Sequence, residues 1–157
     1  MTVFLLIRHG ESEANREGFF AGQCDVALLD KGLKQAQATA RFIAENYKAD
    51  KLYSSDLKRA LDTALAVKEQ TGLPVRGFNS GPLGGDQQIG AMLANGELDL
   101  IIFLRDPLAP KSHEPDVNKA VKLCDTHNVP LATNLATAEL LVKALDRGDL
   151  EWREMFR

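Results

Sequence analysis

Val3-Phe4-Leu5-Leu6-Ile7 is an unbroken apolar run, and Arg8-His9-Gly10 follows it at once. A continuous β-rich run of this length is what a strand buried on both faces requires, and parallel sheets are built from such strands. Outward from this first strand, short apolar runs recur at Leu52-Tyr53-Ser54, Pro74 to Phe78, Leu98 to Leu104 and Leu131-Ala132-Thr133, which read as strands two to five. Longer amphipathic stretches separate them. Leu33, Ala36, Ala40, Ile43 and Tyr47 mark a helix with Asp30 as N-cap; Leu57, Leu61, Ala64, Ala66 and Val67 mark a second, capped by Ser55 or Asp56 and stopped by Gly72. Ile89, Met92 and Leu93 belong to a helix ending at Asn95-Gly96; Val117, Ala120, Val121 and Cys124 form the next stripe, and Thr137 to Leu145 the last. Trp152, Met155 and Phe156 read as tail residues that dock on the body. The alternation predicts an α/β fold, a three-layer α/β/α sandwich around a five-stranded parallel sheet.

The composition agrees with a globular chain. Of 157 residues, 45% are apolar and 26% charged, and the 22 acidic against 19 basic residues leave a net charge of −3. A chain of this size buries roughly two-thirds of its unfolded surface, enough for a core without disulfides or a structural metal. The near balance of charge speaks against a nucleic-acid surface, which needs clustered Lys and Arg. No apolar run approaches the ~20 residues of a bilayer span, so no membrane partner is expected. Met1-Thr2-Val3-Phe4 lacks a basic leader pattern, and the expected compartment is the cytoplasm. Cys24 and Cys124 stand far apart with no C-x-x-C pattern and read as small, semi-buried residues; neither a metal nor another cofactor is expected.

In an open parallel sheet, ligands bind beyond the carboxyl ends of the strands. Arg8-His9-Gly10-Glu11-Ser12 follows strand one, Ser54-Ser55-Asp56 and Arg59 follow strand two, Ser80-Gly81 and Asp86 follow strand three, and Asp106, His113 and Asp116 follow strand four. Arg8 beside His9, where a glycine lets backbone approach, suits a phosphate group, and Arg59 near a helix start offers a second guanidinium. Residues 10 to 30 are polar and without period, too long for an idle connection, and are expected to form a functional loop. Taken singly, Asp86 or Asp116 reads as a helix cap, His113 as a loop hydrogen bond and His9 as a strand cap.

Taken together, the residues say more. Leu6-Ile7-Arg8-His9-Gly10-Glu11-Ser12-x-x-Asn15, Gly22-x-x-Asp25-x-x-Leu28, Lys31-Gly32-x-x-Gln35-Ala36 and Leu52-Tyr53-Ser54-Ser55-Asp56-Leu57-x-Arg59-Ala60 make residues 1–77 resemble the histidine phosphatase and phosphoglycerate mutase superfamily. That resemblance implies that His9 is a phosphoryl-accepting nucleophile and that Arg8, Asn15 and Arg59 hold the phosphate oxygens. Residues 78–157 resemble the methylglyoxal synthase family instead, through Ser80-Gly81-Pro82-Leu83-Gly84-Gly85-Asp86-Gln87-Gln88-Ile89-Gly90, Arg105-Asp106-Pro107-Leu108, Ser112-His113-Glu114-Pro115-Asp116-Val117 and the stretch from Val129 to Ala138. This second resemblance implies that Asp86 is the base that takes a proton from dihydroxyacetone phosphate, with His113, Asp116 and Asp106 in the same site.

Each half departs from its pattern where the other half would complete it. No S-H-G or T-H-G motif with a second histidine occurs late in the chain, and no L-x-E-x-x-x-G pattern follows Val75. The H-D-x-x-K segment and T-G-T-T loop of the methylglyoxal synthase pattern are also missing. The two signatures meet near residue 78 and neither half has strands enough for its own core, so the chain reads as a chimera, engineered rather than naturally fused, forming one domain over residues 1–157. The family topologies imply a strand order of 3-2-1-4-5, with 3-2-4-1-5 as the alternative; both keep right-handed crossovers. The expected function is weak binding of phosphate or a small phosphorylated metabolite by Arg8, His9, Arg59, Ser80 and Gly81, without efficient catalysis. Residual methylglyoxal synthase activity and weak histidine phosphatase activity are the alternatives, and the expected state is a monomer or small homo-oligomer.

Overall fold

Alternating helix and strand signals become alternating elements, and a computed structural model describes them over residues 4–79, 83–104 and 114–156, with the backbone alone at 114–117, 153, 154 and 156. In order they are α1 (Glu13–Glu17), α2 (Asp30–Asn46), β1 (Leu52–Ser55), α3 (Lys58–Thr71), β2 (Val75–Phe78), α4 (Gly85–Ala94), β3 (Ile101–Ile102), α5 (Glu114–Thr126), β4 (Leu131–Ala132), α6 (Leu135–Asp146) and a closing 3-10 helix (Glu151–Phe156). The chain divides into two compact units, Val3–Leu83 and Gly84–Arg157. No described helix is long and apolar enough to cross a membrane.

In the first unit β1 and β2 pair in parallel, from Leu52↔Val75 to Ser55↔Phe78. They are joined by α3, which gives a βαβ unit. Gly72 ends α3 in the left-handed region at φ 75°, where a side chain would be strained. The core of this unit is small-residue packing between α2 and α3: Ala36, Ala40 and Ile43 meet Ala66 and Val67, with Leu28 beside them and Leu5 and Leu52 packed on the edge. Alanines on facing helices let their backbones come close, so this core is thin and its geometry tight. Leu33 and Tyr47, expected on the buried stripe, are 43% and 42% exposed.

Residues 4–7 correct the expectation of a first strand buried on both faces. They form no ladder among the described residues, and Phe4 and Leu6 are 67% and 96% exposed. Leu5 alone of the three packs on the core. A two-sided strand needs hydrogen-bonding neighbours on its edges and cover on both faces; this segment has one covered face, so its inward residue alternates with outward ones. The loop expected over residues 10 to 30 also contains structure. Ser12 and Asn15 form a capping box that opens α1, and Gly18 closes it at φ 73°. Asp30 lies in the first turn of α2 rather than at its N-cap, which is Leu29; its charge still favours that helix end.

In the second unit β3 and β4 pair in parallel through Ile101↔Leu131 and Ile102↔Ala132. Direct pairing of strands four and five removes the 3-2-4-1-5 order, which sets another strand between them. The described ladders are thus two parallel pairs, and strand four is shorter than the Leu98 to Leu104 run that announced it. Leu93 of α4, Cys124 of α5 and Val129 form the buried centre, with Ile89, Leu98, Ile101, Leu123 and Leu131 around them. Gly90 brings α4 against α5, since a Cβ there would lie 3.3 Å from Leu123 Cδ1. The last helix starts two residues earlier than its pattern suggested because the Asn134 side chain accepts the Thr137 N–H at 3.0 Å. Trp152 and Met155 are 43% and 75% exposed, so neither side chain is fully covered.

The two cysteines differ in environment. Cys24 is exposed, which corrects the semi-buried reading, whereas Cys124 is buried. Burial, then the neighbouring Asp125 carboxylate, pushes the Cys124 thiol above its ordinary value. A thiol-specific chromogenic reagent at neutral pH is expected to titrate Cys24 within minutes and Cys124 only after denaturation. Because the unfolded thiol ionises at lower pH than the folded one, stability should also fall as pH rises beyond the ordinary thiol range, and the Cys124→Ala variant should lose that alkaline slope.

Candidate functional site

The Arg8–Ser12 segment is clasped by residues 27–35. Leu29 N–H donates to the Glu11 carbonyl at 2.9 Å, Glu13 N–H donates to the Ala27 carbonyl at 3.3 Å, and Ser12 and Leu28 form an antiparallel bridge. From the start of α2, Lys31 Nζ pairs with Glu11 Oε2 at 2.6 Å, and Gln35 Oε1 accepts the Glu11 N–H at 2.9 Å. Gly10 and Gly32 stand at the crossing. A Cβ on Gly10 would run into the Gly32 carbonyl, and a Cβ on Gly32 would run into the Glu11 backbone. Neither glycine has positive φ, so closeness of approach, not backbone conformation, requires them.

His9, at the exit of this clasp, is half-buried, and its Nδ1 lies 2.7 Å from the Gly10 carbonyl oxygen. The Gly10 N–H donates to Thr63 Oγ1 at 3.2 Å, and the Thr63 hydroxyl donates to the Arg59 carbonyl one turn back at 2.8 Å. A cavity of about 300 Å³ opens here, lined by Arg8, His9, Ser54, Ser55 and Thr63, with apolar walls from Ile7, Leu52 and Val67. Arg8 is exposed, and its guanidinium is available to an anion. The Arg8–His9 segment and the end of β1 therefore meet, as the motifs led one to expect.

Arg59 does not join them. The residue is 9% exposed, its guanidinium donates from Nη1 to the Cys24 carbonyl and from Nη2 to the Gly22 carbonyl, both at 2.8 Å, and it is not among the cavity's lining residues. Asp25, in the same loop, returns the contact: its Oδ1 accepts the Lys58 N–H at 2.6 Å, satisfying a backbone donor at the start of α3. The Gly22-x-x-Asp25 motif and Arg59 are thus two halves of one fastening. Asn15 is engaged too, since its Oδ1 accepts from the Ser12 N–H at 3.0 Å and the Ser12 hydroxyl at 2.9 Å.

Asp86 is half-buried in the first turn of α4, in the second unit, where its charge suits the helix N-terminus. Asp116 lies within α5, with its side chain outside the described residues. Ser80, Gly81, Asp106 and His113 lie outside the described residues. No cluster of three metal-ligating side chains occurs among the described residues. Sequence reasoning missed Thr63 and gave Gln35 no role of its own; the available signal was Thr63's spacing of one helical turn from Arg59.

The site is that of an α/β protein that brings a histidine of the N-terminal segment to a strand end, and comparison with known proteins gives its relations. Residues 4–78 match the histidine phosphatase superfamily (branch 1), and residues 61–133 match the MGS-like domain. A methylglyoxal synthase of Geobacillus thermodenitrificans is 49% identical over 130 residues, 83% of this chain and 88% of that protein. One of Caldicellulosiruptor saccharolyticus is 63% identical over 93 residues, 59% of this chain; the chain thus spans 66% of that relative's length. Among solved structures, a mycobacterial glucosyl-3-phosphoglycerate phosphatase aligns at 24% identity with a TM-score of 0.47, covering 87% of this chain and 77% of that one.

The chain belongs to the methylglyoxal synthase family, and its N-terminal part carries a histidine phosphatase segment. The two family matches overlap over residues 61–78, most of α3 and all of β2.

Two substitutions separate the clasp from the fastening. Gly32→Ala sets a new side chain against backbone that has no rotamer to yield, and should lower the unfolding free energy by about 3 kcal/mol in urea titration, the upper end for overpacking. Arg59→Met should cost only about 1–2 kcal/mol, because the Gly22 and Cys24 carbonyls it abandons are near the surface and rehydrate; limited proteolysis should then cut first within residues 22–25.

Proposed function

We propose that the chain is an engineered chimera, one folding domain over residues 1–157, that binds inorganic phosphate or a small phosphorylated metabolite weakly in the cavity beside Arg8 and His9 and does not turn it over efficiently. The observation that carries this reading is the cavity's lining: one exposed guanidinium, one imidazole and the hydroxyls of Ser54, Ser55 and Thr63 around space for a small anion. The guanidinium donates to phosphate oxygens, the Ser54 and Ser55 hydroxyls can turn from their neighbouring acceptors to do the same, and the imidazole can accept a proton from a monohydrogen phosphate, while the Thr63 hydroxyl stays with the Arg59 carbonyl. With Arg59 holding the 22–25 loop, one guanidinium does what two were expected to do, and affinity falls accordingly. Ser80 and Gly81 remain the proposed backbone and hydroxyl donors at the rim.

Slow chemistry follows from the missing groups. The second histidine and the glutamate of the phosphatase pattern are absent, as are the H-D-x-x-K and T-G-T-T segments of the synthase pattern. Displacement of a catalytic group by 1 Å costs on the order of a hundredfold, and whole groups are absent here. Phosphate titration followed by the His9 ring resonances should give millimolar affinity. Arg8→Ala should abolish it while changing stability by less than about 0.5 kcal/mol, since Arg8 is exposed. Resonances unmoved by phosphate in the parent chain overturn the reading.

A second reading is favoured by the close identity to methylglyoxal synthases across the region that holds Ser80 to Gly90. In it Asp86 takes a proton from dihydroxyacetone phosphate, Asp106, His113 and Asp116 complete the site, and phosphate leaves from the resulting enediolate. Methylglyoxal formation lost in Asp86→Asn supports it; a product yield equal to the uncatalysed background removes it.

A further inference from the structure

We infer that Gln35 and Thr63 are positioning residues for His9: they hold the peptides on either side of Gly10 and thereby set which ring nitrogen of His9 carries the lone pair. The inference deepens the reading of the Arg8–His9 cavity as a phosphate site and rests on it for its consequence. The ring geometry, however, is observable without any ligand.

The Gly10 carbonyl lies 2.7 Å from His9 Nδ1. A carbonyl only accepts, so Nδ1 carries the proton, and the neutral ring keeps its lone pair at Nε2. What aims the carbonyl is the rest of its own peptide. The unit is planar, with N–H and C=O pointing in opposite directions, and the N–H opposite the Gly10 carbonyl belongs to Glu11. Gln35 Oε1 holds that N–H at 2.9 Å. An amide can offer either end, but only its oxygen satisfies an N–H, so the orientation of the Gln35 side chain follows from its partner.

Thr63 fixes the peptide before. Its hydroxyl proton is directed to the Arg59 carbonyl at 2.8 Å, which leaves a lone pair for the Gly10 N–H at 3.2 Å. Thr63 is 4% exposed, so little water competes for that lone pair. Glycine is the residue freest to rotate about its two backbone bonds, and at position 10 both flanking peptides are tied. The Lys31-Gly32-x-x-Gln35-Ala36 motif thereby acquires a chemical role. Gly32 lets α2 come close, and Gln35, one turn along, reaches the peptide next to the histidine. In the cavity, a lone pair at Nε2 of the neutral ring is what would face an incoming phosphoryl group or accept a proton from a monohydrogen phosphate.

The experiment is two-bond proton–nitrogen correlation NMR on the full nitrogen-15-labelled chain, with His9 assigned by the signals lost in His9→Gln. With the ring neutral, the parent chain should show a protonated Nδ1 and a bare Nε2 as one tautomer. Gln35→Met should convert this to the mixture of both tautomers seen for free imidazole side chains, and Gln35→Glu, which restores an acceptor, should return the single tautomer. Thr63→Val should act like Gln35→Met, and Thr63→Ser should restore the parent pattern. Thr63 is buried and its valine variant can unfold; Gln35 is exposed on α2, so its variants keep the test decisive. A folded Gln35→Met protein with the parent Tm and an unchanged Nδ1-protonated ring overturns the inference. A parent chain that shows the single tautomer yet ignores phosphate supports the inference and overturns the phosphate reading.

Discussion

Backbone crosses backbone at Gly10 and Gly32, and the rest of the N-terminal unit is arranged around that contact. Two peptide chains without side chains between them pass within van der Waals distance, and this lets the start of α2 deliver Lys31 and Gln35 onto Glu11. The exposed Lys31–Glu11 pair adds little energy by itself, since solvent screens it. Its companions, the Leu29 N–H bond and the Ser12–Leu28 bridge, are backbone contacts that repeat the same registration. Registration matters because the histidine follows from it: His9 is placed by the peptide that the crossing immobilises.

Helix α3 is the second organising element, and it faces three ways. Arg59 and the backbone of Lys58 hold the 22–25 loop, Thr63 reaches the Gly10 peptide, and Ala66 and Val67 enter the alanine-rich core against α2. That one helix also lies under both family matches, which overlap from residue 61 to residue 78. The βαβ unit to which this helix belongs is complete in itself. β1 and β2 pair with each other, and α3 packs on both. The second unit keeps its own apolar centre at Leu93, Cys124 and Val129, with α4 and α5 in close contact through Gly90.

The commitment of Arg59 changes what the cavity is able to do. A buried arginine already bonded to two carbonyls has its geometry fixed by the loop, and Arg8 is the exposed cation on the cavity's lining. Asn15 is likewise occupied with Ser12. Residues that the motifs assign to one ligand are here divided between shaping the loop and lining the cavity.

How much of this was legible in the chain depends on the range of the interaction. Helix and strand identity came from local periodicity, and α2, α3, α4, α5, β1, β2 and β4 lie close to where their apolar spacing put them. Gly72 and Asn95-Gly96 stopped helices where glycine chemistry says they should. The motifs also placed Arg8 and His9 beside a second strand end. What local pattern could not decide was partnership. An apolar run such as Phe4 to Ile7 announces that it seeks cover on two faces, but cover is supplied by other segments, and only the folded chain shows that Leu5 found it while Phe4 and Leu6 did not. Nor does a sequence say whether an arginine's donors go to a ligand or to the carbonyls of Gly22 and Cys24, because that choice is made among groups some 35 residues apart. Composition and spacing fix which elements form; the direction of each hydrogen bond is fixed when those elements pack.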